Sequence, residues 1–228
     1  MMRSPILRHC APFATWIGLQ TLLPTTAAAY AIRSAATALV ALYAFWPCGD
    51  RSSRPEHSAP SSLPSRPFQL VVGILLGRVV CALWILPDAL DWYQRWCVWP
   101  LGSVAAPAAE APYDPAVCGW PLTIAKLVGS AFVIAPVEEL FFRSFLYRWL
   151  QSRDFLNVPL TRFDGSAFLW MIFLFMLEHD RPLAAALAGA AYGFAAIRWG
   201  LCAAIVAHVV TNLALALHVV YWHAWAFW

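Results

Sequence analysis

The stretch "VEELFFRSFLYRW", from Val137 to Trp149, places two adjacent carboxylates in a segment that consists mostly of apolar side chains. Charged groups are costly inside a membrane, so a buried charged residue there is expected to have an ion-pair partner or a functional role. Glu139 and Arg143 are four residues apart, so a helix puts them on one face, where they can pair. Glu138 points about 100° away from that face, given 3.6 residues per turn. The pattern predicts a helix with an internal ion pair and one glutamate outside it.

The composition indicates a membrane protein. Of the 228 residues, 61% are hydrophobic and 12% are charged, and the mean hydropathy is +0.64. A soluble domain carries about 25% charged residues. Several apolar runs reach the length of about 17–25 residues that a helix needs to cross a bilayer. The net charge of +3 and the absence of a basic cluster with interleaved aromatics argue against nucleic-acid binding. We therefore expect an all-α, polytopic transmembrane helix bundle.

The apolar runs predict about seven spans, which are separated by polar or proline-rich segments. The predicted spans are 10–24, 28–47, 68–87, 120–150, 166–179, 183–198 and 201–222. A linker rich in proline, serine and arginine follows the second span, and a tryptophan-rich loop precedes the fourth. We interpret residues 1–66 as an N-terminal part with two spans and the linker, and residues 67–228 as the core.

The basic residues predict the orientation of the bundle. Most arginines fall on the side of the N-terminus, at positions Arg3, Arg8, Arg51, Arg54, Arg66, Arg148, Arg153, Arg162 and Arg198. Because basic loops stay in the cytoplasm, we expect the N-terminus inside and the C-terminus outside. The first basic residues and the run 11–23 also resemble a signal peptide. We favour an uncleaved anchor, and cleavage would not alter the other six spans.

Two further stretches place polar side chains inside apolar spans. "FLFMLEHD" puts Phe175 and His179 four residues apart, and "AAIVAHVVTNLAL" does the same with His208 and Asn212. A rise of about 1.5 Å per residue brings both histidines and Glu138 to similar depth, near the bilayer midplane. Helices far apart in sequence thus supply one acid and two imidazoles at one level. This coincidence predicts a functional site.

We assign no catalytic role to three other charged residues of the apolar segments. Glu178 and Asp180, followed by Pro182, are typical of a helix end, where charge costs little. Lys126 is assigned to packing or snorkelling. No HExxH and no GxSxG occurs in the sequence, so the common zinc-protease and serine-hydrolase motifs are absent.

Two chemical routes fit the predicted site. Glu138 can take a proton from water, while an imidazole and an amide stabilise the oxyanion formed at a carbonyl. Alternatively, His179, His208 and Glu138 can hold Zn²⁺, because two histidines and one glutamate are a known catalytic ligand set. The sequence leaves the cofactor open: zinc is compatible with it but not required. Both routes lead to hydrolysis of a peptide bond inside the membrane.

Three motifs occur in order: "EELFFR" fits EExxxR, "FMLEH" fits FxxxH and "HVVTN" fits HxxxN. Over about residues 120–220 the chain resembles the CPBP family, the CAAX proteases and bacteriocin-processing enzymes, which includes the type II CAAX prenyl endopeptidases. The resemblance implies an intramembrane endopeptidase of the glutamate or metallo type. It implies that Glu138 activates water and that His179 and His208 bind that water or the oxyanion.

The same resemblance gives Asn212 a place in the catalytic set and makes Glu139 and Arg143 residues that shape the site. "DFLNVPL" and the closing "WHAWAFW" resemble the bacterial branch that accompanies exosortase sorting systems. This resemblance implies a location in a bacterial inner membrane. The expected partners are therefore the lipid bilayer and a membrane-embedded or lipid-modified protein substrate, with an exosortase-sorted protein as one candidate. A non-proteolytic scaffold or immunity protein of the same fold is the main alternative. A small transporter is less favoured, because no internal repeat is visible.

Overall fold

The computed structural model describes residues 4–45, 63–90 and 111–228, and within these ranges it contains helices and no strand. The long helices are α1 (Pro5–Leu22), α2 (Ala27–Phe45), α3 (Arg66–Ile85), α4 (Trp120–Gln151), α5 (Gly165–Leu177), α6 (Pro182–Trp199) and α7 (Leu201–Trp222). The predicted helices are confirmed: α1 begins five residues earlier than expected, and all other bounds agree within two residues. The polar linker and most of the tryptophan-rich loop lie outside the described residues.

Capping side chains and one glycine set several helix ends. The Ser4 hydroxyl accepts a hydrogen bond from the Leu7 N–H at 3.5 Å, and the Asp164 carboxylate accepts one from the Ala167 N–H at 2.9 Å. Such side chains satisfy backbone donors that a first helical turn leaves free. Gly200 separates α6 from α7 with φ of 102°, a value that glycine adopts without steric cost.

Among the described residues, four helices are long and apolar enough to cross a membrane: α2, α3, α4 and α7. The chain is therefore an integral membrane protein. Helix α5 is apolar but has only 13 residues, fewer than the about 20 that a straight crossing needs. Seven crossings and the N-inside orientation stay predictions.

Helix α4 is not a regular α-helix. Two stretches, Gly129–Ile134 and Leu140–Leu146, are π-helical, and the short α-helical piece between them carries both glutamates of the opening motif. The Ala135 N–H accordingly donates to the Ser130 carbonyl, five residues back. Pro136 follows directly and has no N–H, so the ordinary hydrogen-bond ladder cannot continue through it. π-Helical turns of this kind are frequent at functional sites.

Small residues bring the helix backbones together. A Cβ atom built on Gly73 of α3 would lie 2.8 Å from the Ala203 carbonyl oxygen of α7, so these two helices touch through their backbones. On α6, a Cβ atom on Gly193 would lie 2.6 Å from Cε of Met171 on α5. Close approach through small residues is the usual way in which membrane helices associate. Helix α4 contacts α1, α2, α5 and α7, so it runs through the middle of the bundle.

Candidate active site

A buried ion pair joins two residues of the opening motif. Nη1 of Arg143 lies 3.0 Å from Oε1 of Glu139, and the two side chains are 1% and 0% exposed. The predicted pair is therefore present. Nη2 of Arg143 also donates to the Gly189 carbonyl at 3.1 Å, and its guanidinium lies 4.5 Å from the centre of the Phe175 ring. Through these contacts Arg143 connects α4 with α5 and α6.

The imidazole of His208 lies between the two glutamates. Nδ1 is 2.9 Å from Oε1 of Glu139, and Nε2 is 3.7 Å from Oε2 of Glu138. An ionised carboxylate only accepts hydrogen bonds, so Nδ1 carries the proton and Nε2 is the nitrogen that remains available. The Tyr192 ring stacks on the imidazole with 4.6 Å between the ring centres. The orientation of His208 is thus fixed from two directions.

Glu138 differs from its neighbour in what surrounds it. Both glutamates are buried, and the Oε2 atom of each has no hydrogen-bond partner among the described residues. Buried carboxylate oxygens are normally hydrogen-bonded, so an unsatisfied one needs an explanation. Glu138 lines a cavity, whereas Glu139 and Arg143 lie behind the cavity wall. Of the two glutamates, Glu138 is the one that can meet a substrate.

His179 follows the end of α5 and is held by that helix. Its Nδ1 lies 2.8 Å from the Phe175 carbonyl oxygen, which can only accept, so Nδ1 is the protonated nitrogen. The Trp84 ring of α3 packs edge-on against the imidazole at 5.6 Å between centres. Phe175 therefore serves two residues: its carbonyl orients His179, and its ring contacts Arg143.

Asn212 connects α7 to the first π-helical stretch of α4. Its Nδ2 donates to the Ser130 carbonyl at 3.0 Å. Because a carbonyl oxygen only accepts, this contact fixes which end of the amide faces α4. One further N–H of the amide is left for another acceptor. The same Ser130 carbonyl accepts the Ala135 N–H, so Asn212 stabilises the irregular turn that precedes Glu138.

These side chains share one cavity of about 250 Å³. Glu138, His179, His208 and Asn212 all line it, so the structure brings together the four residues that the sequence proposed as catalytic. The cavity lies toward the end of the bundle where α1 and α3 end and α4 begins. Helices α1 and α2 of the N-terminal part also contribute to its wall.

Sequence reasoning missed three charged residues in the cavity wall: Arg33, Lys126 and Glu178. Helix α5 does end at Leu177, as expected, but both carboxylate oxygens of Glu178 are buried and lack a hydrogen-bond partner in the described part of the chain. The interpretation of Glu178 as a charge at a helix end is thus incomplete, and Lys126 faces the cavity instead of serving only as packing. A charged residue inside an apolar span was the available signal.

The donor types in the cavity would suit zinc, because His179 and His208 each have Nδ1 engaged and Nε2 left over. Within residues 4–45, 63–90 and 111–228, however, no three His, Cys, Asp or Glu side chains are grouped so as to hold a metal ion. The arrangement of Glu138, His179 and His208 does not fit a metal centre as it stands.

Comparison with known proteins bears on the C-terminal part of the chain. Residues 120–214 match the family model described as type II CAAX prenyl endopeptidase Rce1-like. This segment belongs to the CAAX protease family. The family predicted from the three motifs is confirmed, and the CAAX protease segment contains every residue proposed for the site. Searches of curated proteins and of solved structures returned no significant match.

The boundaries of the CAAX protease segment show what the rest of the chain adds. Helices α4 to α7 supply the motif residues, whereas α1, α2 and α3 lie before the matched residues. Nevertheless Trp16, Arg33 and Trp84 from these three helices line the cavity. The site is built from the family segment, and its walls are completed by the N-terminal helices.

Proposed function

We propose that this protein is an intramembrane endopeptidase in which Glu138 is the general base. The observation that carries the proposal is the contrast between the two glutamates. Arg143 and His208 both contact Oε1 of Glu139, which lies behind the cavity wall. Glu138 lines the cavity, and its unpaired Oε2 lies beside Nε2 of His208. Oε2 of Glu139 is also unpaired, but Glu139 is not part of the cavity lining. Membership of the CAAX protease family supports the same class of reaction.

The proposed reaction begins with a water molecule that contacts Glu138 and Nε2 of His208 from the cavity side. As the water oxygen attacks the carbonyl carbon of the scissile bond, one water proton passes to Glu138, and the carbonyl π electrons move to its oxygen. The free N–H of Asn212 is placed to donate to this oxyanion. His179, which follows the end of α5, helps to hold the water or the oxyanion.

The intermediate then collapses. Glu138 gives its proton to the amide nitrogen, the C–N bond breaks, and the oxyanion electrons re-form the carbonyl. The products are a new carboxyl group and a new amine, and Glu138 returns to its ionised state. Glu139 and Arg143 do not exchange protons in this scheme: they hold His208 in the orientation and tautomer that the first step needs.

For the substrate, we propose a membrane-embedded or lipid-modified protein of a bacterial inner membrane, with exosortase-sorted proteins as the first candidates. A bond buried at the depth of Glu138 must be carried there by an apolar segment or a lipid chain, because polar chain is costly in the bilayer core.

The test compares three forms of the full chain in native membranes: wild type, Glu138→Gln and Asp154→Asn. Asp154 is exposed and lies outside the cavity wall, so its substitution is a matched change from carboxylate to amide. We expect mass spectrometry to find a set of membrane-protein termini in wild type and Asp154→Asn that is missing in Glu138→Gln. Identical termini in all three forms, with Glu138→Gln still folded, would favour the non-proteolytic scaffold.

A further inference from the structure

Two cations that the proposed reaction does not use face the same cavity. Lys126 comes from α4 and Arg33 from α2, and both belong to the cavity wall together with Glu138. We propose that Lys126 and Arg33 form an anion subsite that binds a carboxylate of the substrate peptide. This inference rests on the proposed function, because it assigns the subsite to the molecule that is cut.

Aromatic rings, not carboxylates, hold the two cations. Nζ of Lys126 lies 4.0 Å from the centre of the Tyr30 ring and 4.7 Å from that of Tyr113. The Arg33 guanidinium lies 3.8 Å from the Trp16 ring and 5.1 Å from the Tyr30 ring. Tyr113 precedes α4, and burial raises the pKa of its phenol, so its ring stays neutral beside Lys126. Cation–π contacts stabilise a charge but leave its hydrogen-bond donors free.

In the part of the chain that the structure describes, neither cation forms an ion pair with an acidic side chain. Nε of Arg33 is buried without a hydrogen-bond partner there. Both cations also lie against the same ring, that of Tyr30, at 5.1 and 4.0 Å from its centre, so two like charges are close together. Two like charges without a counter-ion are unfavourable in a low-dielectric site, and an anion bound between them would remove that cost.

The position of the subsite favours an anion carried by the substrate peptide. A group bound by Lys126 and Arg33 shares a cavity of about 250 Å³ with the proposed catalytic residues, so it lies on the molecule that reaches Glu138. Arginine and lysine bind carboxylates through charge-assisted hydrogen bonds. A peptide carries such a group at its C-terminus or on an acidic side chain.

The spacing along α4 limits the distance from this carboxylate to the scissile bond. Lys126 precedes Glu138 by twelve residues. At about 1.5 Å per residue this corresponds to at most about 18 Å along the helix. An extended peptide covers about 3.3–3.6 Å per residue, so about five residues of extended peptide cover this distance between the carboxylate and the bond that is cut.

Binding tests the subsite without requiring turnover. The probes are dye-labelled pools of apolar pentapeptides: one with a free C-terminal carboxylate, one amidated, and one amidated with aspartate as the last residue. The protein is the full chain carrying Glu138→Gln, in phosphatidylcholine nanodiscs. We expect the free-acid pool to bind about tenfold more tightly than the amidated pool, as one charge-assisted hydrogen bond can supply. Equal binding of the aspartate pool would show that side-chain carboxylates are also accepted.

Variants then assign the preference to the two cations. Adding Lys126→Gln or Arg33→Gln should reduce the ratio of the affinity for the free-acid pool to the affinity for the amidated pool to near one. Lys126→Arg should leave this ratio unchanged. Arg153→Gln is the matched control, because Arg153 also stacks on an aromatic ring, that of Trp149 at 3.8 Å, but lies outside the cavity. Fluorescence-monitored melting checks that each variant is folded.

Three results would overturn the proposal. The first is that the free-acid pool binds no more tightly than the amidated pool, or that neither binds, when Lys126 and Arg33 are both present. The second is a preference for the free-acid pool that survives both glutamine substitutions, and the third is loss of this preference in phosphatidylglycerol nanodiscs, which would assign the subsite to a lipid phosphate. Failure of the proposed function is a separate result. In that case, mass spectrometry would find the same membrane-protein termini in Glu138→Gln as in wild type, while the binding assay would still show tighter binding of the free-acid pool.

Discussion

Nδ1 of His208 lies 2.9 Å from Oε1 of Glu139, so a carboxylate of α4 orients an imidazole of α7. A carboxylate that binds one nitrogen of a histidine fixes both the tautomer and the direction of the ring. The second nitrogen of His208 consequently faces Glu138, at 3.7 Å from its Oε2. The two neighbouring glutamates contact one imidazole in different ways, and their substitution should have different effects.

Glu138→Gln is expected to abolish cleavage and to leave the melting temperature close to that of the wild type, because Oε2 of Glu138 has no hydrogen bond to lose. Glu139→Gln should lower both the cleavage activity and the melting temperature. It leaves Arg143 as a buried charge without its partner, at a cost of about 3–5 kcal/mol. Cleavage of a wild-type-dependent terminus and thermal melting in detergent measure the two effects. Equal destabilisation by the two substitutions would contradict this division of roles.

Arg143→Lys is expected to destabilise the protein although it keeps the charge. Lysine lacks the planar fork that reaches Glu139 and the Gly189 carbonyl together while stacking on Phe175. A buried acceptor left unsatisfied costs about 1–3 kcal/mol. Arg153→Lys, at an exposed position, should stay within about 0.5 kcal/mol of the wild type. Denaturant unfolding measures the free energy of unfolding of both variants. A similar decrease in Arg143→Lys and Arg153→Lys would show that the fork geometry of Arg143 is unimportant.

The helices and the family were predictable because their signals are local. The apolar runs define α2, α3 and α7 almost to the residue, since hydropathy and helix length depend only on neighbouring residues. The pairing of Glu139 with Arg143 follows from their spacing in the same way. Each of these features is decided within one helix.

The features that the sequence did not predict depend on contacts between helices. Glu178 looked like an ordinary charge at a helix end, and only the packing of α5 against the bundle turns it toward the cavity. Lys126 and Arg33 are 93 positions apart in the sequence, and their shared contact with the Tyr30 ring exists only after α2 packs on α4. The π-helical stretches around Pro136 likewise depend on partners such as Asn212.

Asn212→Asp is expected to reduce cleavage by at least about tenfold, since a carboxylate cannot donate to the Ser130 carbonyl and would repel it. The change should also destabilise the protein by about 1 kcal/mol, because it removes the hydrogen bond that joins α7 to α4. Asn212→Ala removes the donor without adding a charge, so its melting temperature should lie between those of Asn212→Asp and the wild type. A fully active Asn212→Asp protein would exclude the amide from the site.

Gly77→Ala is expected to destabilise the contact between α3 and α7. A Cβ atom at Gly77 would lie 2.7 Å from Cβ of Val210, so the helices would have to separate, at a cost of about 1–3 kcal/mol. Gly18→Ala is the matched control, because nothing lies within 4 Å of a Cβ atom there and alanine favours a helix by about 1 kcal/mol. Unfolding in mixed micelles should rank the control at or above wild type and Gly77→Ala below it. The reverse order would contradict the close approach.

The orientation of the bundle decides which side of the membrane the cavity faces. With the N-terminus inside, the end at which α4 begins is outside, and Lys126 and Arg33 lie near that surface. Two exposed positions report the two ends: Val117 precedes α4, and Asp154 follows it. In a background with all six cysteines replaced by alanine, a membrane-impermeant maleimide should label Val117→Cys in intact cells and Asp154→Cys only after lysis. The opposite pattern would invert the bundle, turn the cavity to the cytoplasm and restrict the substrates to proteins whose scissile segment is accessible from that side.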